Sequence, residues 1–308
     1  MGTKEVIITV ESIKPKFFEK LIQNILKLTA GTTILVLFLI FFFLLKEGYG
    51  IFSYVSLRDF ILGTQWLPET TPPKFGALPL IKGSLYVTVG ATLIAVPIGI
   101  SVAVFLAEAA PPMLREVLKA VIELLAGIPS VVYGFLGLTI LAPFIKELFN
   151  LSSALCAFTA SIVLALMSLP TIVSISEDVL TTVPKEYREA SLALGATKWE
   201  TTLKIVIPAA RTGLIAAAML GIGRAIGETM AVLMVAGNAV MLPHSFFDPV
   251  RTITANIAAE MGETVHGGLH YQALFGLGIV LFVITFIINF LTNILAADKL
   301  GMKRGRYL

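Results

Sequence analysis

Arg224 and Glu228 stand four residues apart in a run of apolar and small residues, 212–235. A guanidinium presents a planar fork of donors that matches an oxyanion. A carboxylate can accept from a protonated oxyanion oxygen, or hold the arginine when the site is empty. On an uninterrupted helix this spacing puts both groups on one face. At ~1.5 Å per residue Arg224 falls about 18 Å beyond Thr212, near the middle of a membrane crossing. A charge there costs about 2.5–3.5 kcal/mol, which makes the pair a functional-site hypothesis. Two readings stand: an ion pair that only neutralises itself, or a station on an anion pathway. Arginine before glutamate is the weaker order for helix stability, which favours the pathway. A pathway also needs transient binding, and one arginine offset by one carboxylate supplies it.

Other polar groups sit near apolar runs. Pro129 interrupts the run 121–144, and Ser130 and Tyr133 just beyond it offer hydroxyl donors. Broken helices are tolerated where they line a cavity, while a plain proline kink is the bland alternative. Glu123, one to two turns earlier, is a further pathway candidate. Gly223 and Gly227 form a G-x-x-x-G face suited to close packing against a neighbouring subunit or span. Glu260, Glu263, His266 and His270 tempt a metal reading, but Gly267 and Gly268 interrupt the helix between the histidines. A polar surface that meets a partner is preferred, and no metal site is assigned. Trp66 and Tyr271 read as interfacial anchors.

The elements that must position these groups follow from composition. Of 308 residues, 56% are hydrophobic and 14% charged, against about a quarter charged in soluble domains. That excludes an ordinary soluble enzyme, a disordered chain and a secreted disulfide scaffold; the single Cys156 cannot form an internal bridge. Six segments approach the ~20 apolar residues of a crossing: 28–45, 85–106, 121–144, 151–175, 212–235 and 271–296. The expectation is an all-α integral membrane protein with six transmembrane helices. The first segment begins too late and lacks a cleavage pattern for a signal peptide, so it is read as a retained span. With both termini inside, sixteen of the 23 lysines and arginines lie on the inner side and six on the outer, which fixes a multi-pass orientation with both ends cytoplasmic. The net charge of +3 thus reflects topology, and no nucleic-acid partner is implied. The chain divides into a cytoplasmic tail 1–27, the first span and external loop 28–81, a transmembrane core 82–296, and a basic cytoplasmic tail 297–308.

The inner loop 176–211 is the most patterned connection. After Pro184 a short helical pattern runs to Gly195 in a C-cap position, and a second, 199–207, leads to Pro208. Leu192, Leu194 and Trp199 give this knob apolar faces that need a partner. Glu189, Ala190 and Ser191, with Gly195 six residues after the glutamate and Ile205-x-Ile207-Pro208 at the end, resemble the EAA loop of ABC importer permeases. Ser191 and Ile207 depart from that pattern by residues of similar size. Glu108-Ala109-Ala110 is a decoy, since two prolines follow and Leu114 stands where glycine should. The segment 221–232, continuing to Gly237-Asn238, resembles the fifth-span signature of phosphate-specific permeases of the PstC family, and 127–134 resembles another of their segments.

The resemblance implies a type I ABC importer permease fold with cytoplasmic EAA coupling helices, in a prokaryotic cytoplasmic membrane. It implies transport of inorganic phosphate with a second, PstA-type permease, dimeric PstB-type ATPase subunits and an external PstS-type binding protein. The chain carries no G-x-x-x-x-G-K-[ST] motif, so ATP and Mg are assigned to the partner ATPase and no cofactor to this chain. Alternatives are a permease for sulfate or molybdate, and a membrane-embedded enzyme acting on a phosphorylated lipid through Arg224 and Glu228.

Overall fold

Long apolar runs that cannot leave backbone groups unpaired in hydrocarbon become helices, and the computed structural model, which describes residues 17–301, is built almost wholly of them. In chain order these are α1 (Phe17–Gly48), α2 (Leu57–Leu62), α3 (Leu78–Val104), α4 (Pro112–Ala126), α5 (Ser130–Leu136), α6 (Ala142–Phe149) and α7 (Ala157–Thr181). They continue with α8 (Lys185–Ala193), α9 (Lys198–Thr201), α10 (Ile207–Gly227), α11 (Met230–Val235), α12 (Ile253–Glu260) and α13 (Leu269–Gly301). A two-stranded antiparallel ribbon, Trp66–Leu67 against Lys74–Phe75, is the β structure among the described residues. Lys4, Lys14, Lys16, Lys303, Arg304 and Arg306, which entered the orientation count, lie outside the described residues.

Among the described residues, six helices are long and apolar enough to cross a membrane: Glu19–Ser53, Leu78–Ala109, Ser130–Phe149, Ala157–Thr181, Lys198–Gly227 and Leu269–Phe290. The number agrees with the sequence reading; several boundaries do not. The third span starts at Ser130 rather than 121, because Pro129 takes an extended conformation (φ −60°, ψ 144°) and splits off α4. The fourth span starts at Ala157 rather than 151, since Cys156 is still extended (φ −152°). The fifth begins at Lys198 and ends at Gly227, so its expected last turns belong to the separate α11.

The chain forms two units, Met1–Lys46 and Glu47–Leu308. In the first, the hydroxyls of Thr29, Thr32 and Thr33 donate back to carbonyls of their own helix, so they cost little in an apolar setting. In the second, α3 and α7 pack through small residues. Ala91, Ala95, Ala157, Ala160 and Ala165 are buried, and a Cβ on Gly99 would come within 2.7 Å of Ile172. Backbones can approach only where side chains are small. One apolar cluster joins these helices to α10 and α11 around Leu164, Met167, Val232 and Val235. A second gathers Phe60, Trp66, Phe75, Leu80, Ile253 and Leu274 at the α12 end. A third gathers Leu106, Val173, Leu180, Val206 and Leu214 at the α8 end.

Glu177, on α7, is 1% exposed. Its carboxylate takes a hydrogen-bonded ion pair from Arg115 and another from Lys119 Nζ at 2.8 Å, while Lys119 also reaches Asp178 at 3.0 Å. These pins hold α4 on the end of α7. The bond to Glu177, helped by Asp178, holds the Lys119 ammonium above its ordinary value. Removing both cations should strand a buried carboxylate. The double substitution Arg115→Ala/Lys119→Ala is expected to cost about 3 kcal/mol, the low end for a buried charge left unpaired, because water reaches this edge. Thermal unfolding of the detergent-solubilised protein reads the loss, and adding Glu177→Leu should recover most of it. A double variant that melts with the parent would show that the pins do not support the fold.

Candidate functional site

Gly227 is the last residue of α10, and Arg224 lies in its final turn. Glu228 follows in an extended conformation (φ −72°, ψ 134°), and α11 restarts at Met230. The expectation of Arg224 and Glu228 on one continuous helix face is therefore corrected: the helix breaks between them. No ion pair joins them among the described residues. The physical reason is local. Glu228 Oε1 accepts the Ala231 N–H at 3.1 Å, capping α11. The Glu228 N–H donates to Ala225 O at 3.3 Å, and its carbonyl accepts the Thr254 hydroxyl at 2.8 Å. The residue spends its polar atoms closing the break.

Arg224 is exposed in this chain, and it lies near enough to Tyr133 to act electrostatically on its hydroxyl. That hydroxyl donates to Leu125 O at 2.9 Å. Ser130 opens α5 directly after the Pro129 turn. A Cβ on Gly134 would meet Met234 Sδ at 2.8 Å and Ala231 Cα at 3.0 Å, so α5 lies tightly on α11. The structure thus brings Tyr133 and its helix to the break. Glu123 does not join them as a span residue. It is exposed on α4, outside the six apolar helices, because the third span begins only at Ser130. A Cβ on Gly223 or Gly227 would meet no atom within 4 Å, so that side of α10 stands open at both glycines.

The second candidate region is the α8–α9 knob. Gly195 adopts φ +85°, with Gly195 N–H to Leu192 O at 3.0 Å and Ala196 N–H to Ser191 O at 3.3 Å. That is a Schellman ending, which favours glycine. Thr197 and Glu200 then form a capping box that starts α9. Ser191 Oγ and Thr201 Oγ1, 2.9 Å apart, tie the two short helices together. From Lys198 the chain stays helical through a π-helical turn, Thr202–Val206, that carries Ile205, and through Ile207 and Pro208 into α10. Glu189 and Ala190 are exposed, and Leu194 and Trp199 are 90% and 64% exposed.

One group escaped the sequence reading, and another, Glu260, was named there without its partners in the fold. Glu108, set aside as a decoy, pairs with Arg188 Nη2 at 2.7 Å. Glu260 collects Arg251 Nη1 at 3.0 Å, Trp66 Nε1 at 2.9 Å and His270 Nε2 at 2.9 Å. Together with Glu69 and Glu263 this cluster borders a cavity of about 430 Å³ at the α12 end. His266 turns away to the Tyr271 hydroxyl at 3.1 Å. Trp66 and Tyr271 are buried, 3% and 8% exposed, which corrects their reading as interfacial anchors: both rings serve packing and hydrogen bonding. The signal that could have found these groups was carboxylates beside apolar runs, each needing a cation.

Residues 95–299 match the family described as binding-protein-dependent transport system inner membrane component. The chain is 47% identical over 230 residues to the probable ABC transporter permease protein YqgH of Bacillus subtilis, covering 75% of this chain and 74% of that protein. It is 37% identical over 293 residues to the phosphate transport system permease protein PstC of Haemophilus influenzae, covering 87% and 91%. Among solved structures, a bacterial alginate ABC transporter in complex with its alginate-bound periplasmic protein is similar with a TM-score of 0.61 at 14% identity, over 91% of this chain and 96% of that one. The inward-facing MetNI methionine ABC transporter gives 0.55 at 20% identity, over 70% and 92%.

The break makes a local prediction. Glu228→Ala removes the cap on the Ala231 N–H, worth ~1 kcal/mol, and should speed amide hydrogen exchange at Ala231 about fivefold, whereas Glu228→Gln keeps an accepting oxygen and should change it little. Equal protection in parent and alanine variant would remove the carboxylate from the architecture of the break.

Proposed function

The chain belongs to the family of binding-protein-dependent transport system inner membrane components, and on that premise we propose that it is the permease subunit of an ATP-driven importer of inorganic phosphate. It is a multi-pass inner membrane protein. The observation that carries phosphate over another oxyanion is the likeness to phosphate transport permeases across most of the chain. Arg224, whose guanidinium makes no hydrogen bond or ion pair with any described residue, supports the chemistry. Phosphate at neutral pH has between one and two negative charges and several acceptor oxygens, which suit a guanidinium fork. Glu228 stays a hydrogen-bond acceptor at the rim and keeps the arginine from forming too deep a well. Ser130 offers a hydroxyl from the facing helix, and Tyr133 offers another once its bond to Leu125 O is exchanged for one to the ion. The open side of α10 at Gly223 and Gly227 suits close approach by a second permease subunit.

In this reading the α8–α9 knob is cytoplasmic and seats on an ATPase subunit, which binds ATP and Mg. Glu189, Ala190, Ser191 and Gly195 form the docking face, and Ile205, Ile207 and Pro208 join it to the span. The α12 end faces outward to a phosphate-binding protein, and both termini are cytoplasmic. Lysine and arginine distribution supports that orientation.

The test of function is phosphate uptake by the assembled complex in proteoliposomes, with ATP inside and binding protein outside. Arg224→Gln should lower uptake about tenfold or more at matched abundance, from ~1.5 kcal/mol or more lost with a charged hydrogen bond. Arg224→Gln/Glu228→Gln should fail as well, although it buries no charge. Parental uptake by the double variant would make both charges structural. Inhibition by excess sulfate or molybdate would shift the substrate to those oxyanions.

Orientation has its own test. Reporter fusions within 176–211 should be cytoplasmic, and fusions within 238–270 external. A cytoplasmic signal from 238–270 would overturn the assignment.

A further inference from the structure

We propose that Glu108 and Arg188 form the link that carries displacement of the docking knob into the second span, a positioning pair that acts through α3 and not on the transported ion. The inference rests on the reading of α8 as the element that seats on the ATPase. Arg188 is on α8, one residue before Glu189. Its guanidinium reaches two separate parts of the chain, Glu108 and the stretch from Leu180 to Val183. Nη2 bonds Glu108 Oε1 at 2.7 Å, and Nε lies 3.3 Å from each Glu108 oxygen. Nη1 donates to Val183 O at 2.6 Å, and Nη2 also donates to Leu180 O at 2.9 Å.

The Leu180 carbonyl is in the last turn of α7, which lacks partners and favours positive charge, and Val183 lies two residues past that helix. Glu108 lies in the π-helical turn Phe105–Ala109 that ends the second span. Both side chains are mostly shielded, 21% exposed for Arg188 and 15% for Glu108, so water screens the pair weakly. Beneath it lies the apolar cluster of Leu106, Leu180 and Val206. The arrangement assigns different jobs to its halves. The carbonyl bonds hold α8 on its own neighbouring helix, α7. The carboxylate bond reaches across 80 positions in sequence and makes α3 follow α8. Removing Glu108 therefore leaves α8 seated by Arg188 but takes away its direct side-chain bond to the second span, leaving only the route through α7.

The experiment uses the assembled complex in proteoliposomes and reads phosphate transported per ATP hydrolysed, beside ATPase rate and subunit stoichiometry. Glu108→Ala should keep assembly and keep ATP hydrolysis within about twofold, while phosphate moved per ATP falls about tenfold, within the range of typical coupling energies. Glu108→Asp, which keeps the charge, should restore most of it. Arg188→Gln/Glu108→Ala should be no worse in that ratio than Arg188→Gln alone, as two ends of one link require. An unchanged ratio in Glu108→Ala would overturn the proposal. So would loss of assembly, ATPase and uptake in proportion, which marks a merely structural pair. A parent complex that transports no phosphate would instead sink the functional reading on which the proposal rests.

Discussion

An unpaired N–H or C=O in hydrocarbon costs several kcal/mol, and that constraint decides where this chain departs from regular helix. Proline is the recurring cause, since it has no N–H and its ring clashes with the carbonyl four residues back. Three π-helical turns, Phe105–Ala109, Gly137–Leu141 and Thr202–Val206, are each followed by a residue that bonds five positions back and then by proline. The pairs are Ala110-Pro111, Ala142-Pro143 and Ile207-Pro208. The wider turn satisfies the last available donor before a residue that cannot donate. Inside α3, Pro97 leaves the helix unbroken, and one turn later the Ser101 hydroxyl donates to the Pro97 carbonyl at 2.7 Å. Glu228 meets the same demand at the α10–α11 break, where no proline is present and a side chain supplies the missing acceptor.

Charges obey the same economy. Glu177, Glu108 and Glu260 are each mostly shielded, and each has an arginine with further donors at hand. A shielded carboxylate persists only when its pairing is good, because desolvation offsets much of the attraction. All three lie at helix ends, where they fasten one element to another. Arg224 differs. It has no such partner among the described residues, and the glycines beside it face open space. The contrast separates charges that build the fold from an intramembrane charge that the fold leaves available.

How far the sequence revealed this depends on which signal each residue gives. Six apolar runs were visible because hydropathy is additive over a span. Their ends were not, because Pro129 and Gly227 compete with tertiary contacts that periodicity does not report. The knob was legible through Gly195, whose φ of +85° needs glycine, and through Pro184 and Pro208 on either side. The face shared by Arg224 and Glu228 was misread, since a four-residue spacing implies a common face only on a continuous helix. Glu108 was dismissed for its local context, yet its partner lies 80 positions away. No spacing rule reaches that far.

The continuity of the fifth span ties these observations together. Lys198–Gly227 is one helical run of 30 residues, about 45 Å at ~1.5 Å per residue. At its first turn stand the capping box of Thr197 and the exposed Trp199; in its last turn stands Arg224. Helices resist axial compression, so a shift of the first turn along the axis is carried to the last. The far end is not free to absorb the shift by bending, because Glu228 bonds α11 through Ala231 and α12 through Thr254. Movement at the knob must therefore displace Arg224 together with the elements that close the break, rather than the arginine alone. A single rod, fastened at one end and carrying its charge there, is the shortest mechanical route this chain offers between its two exposed candidate surfaces.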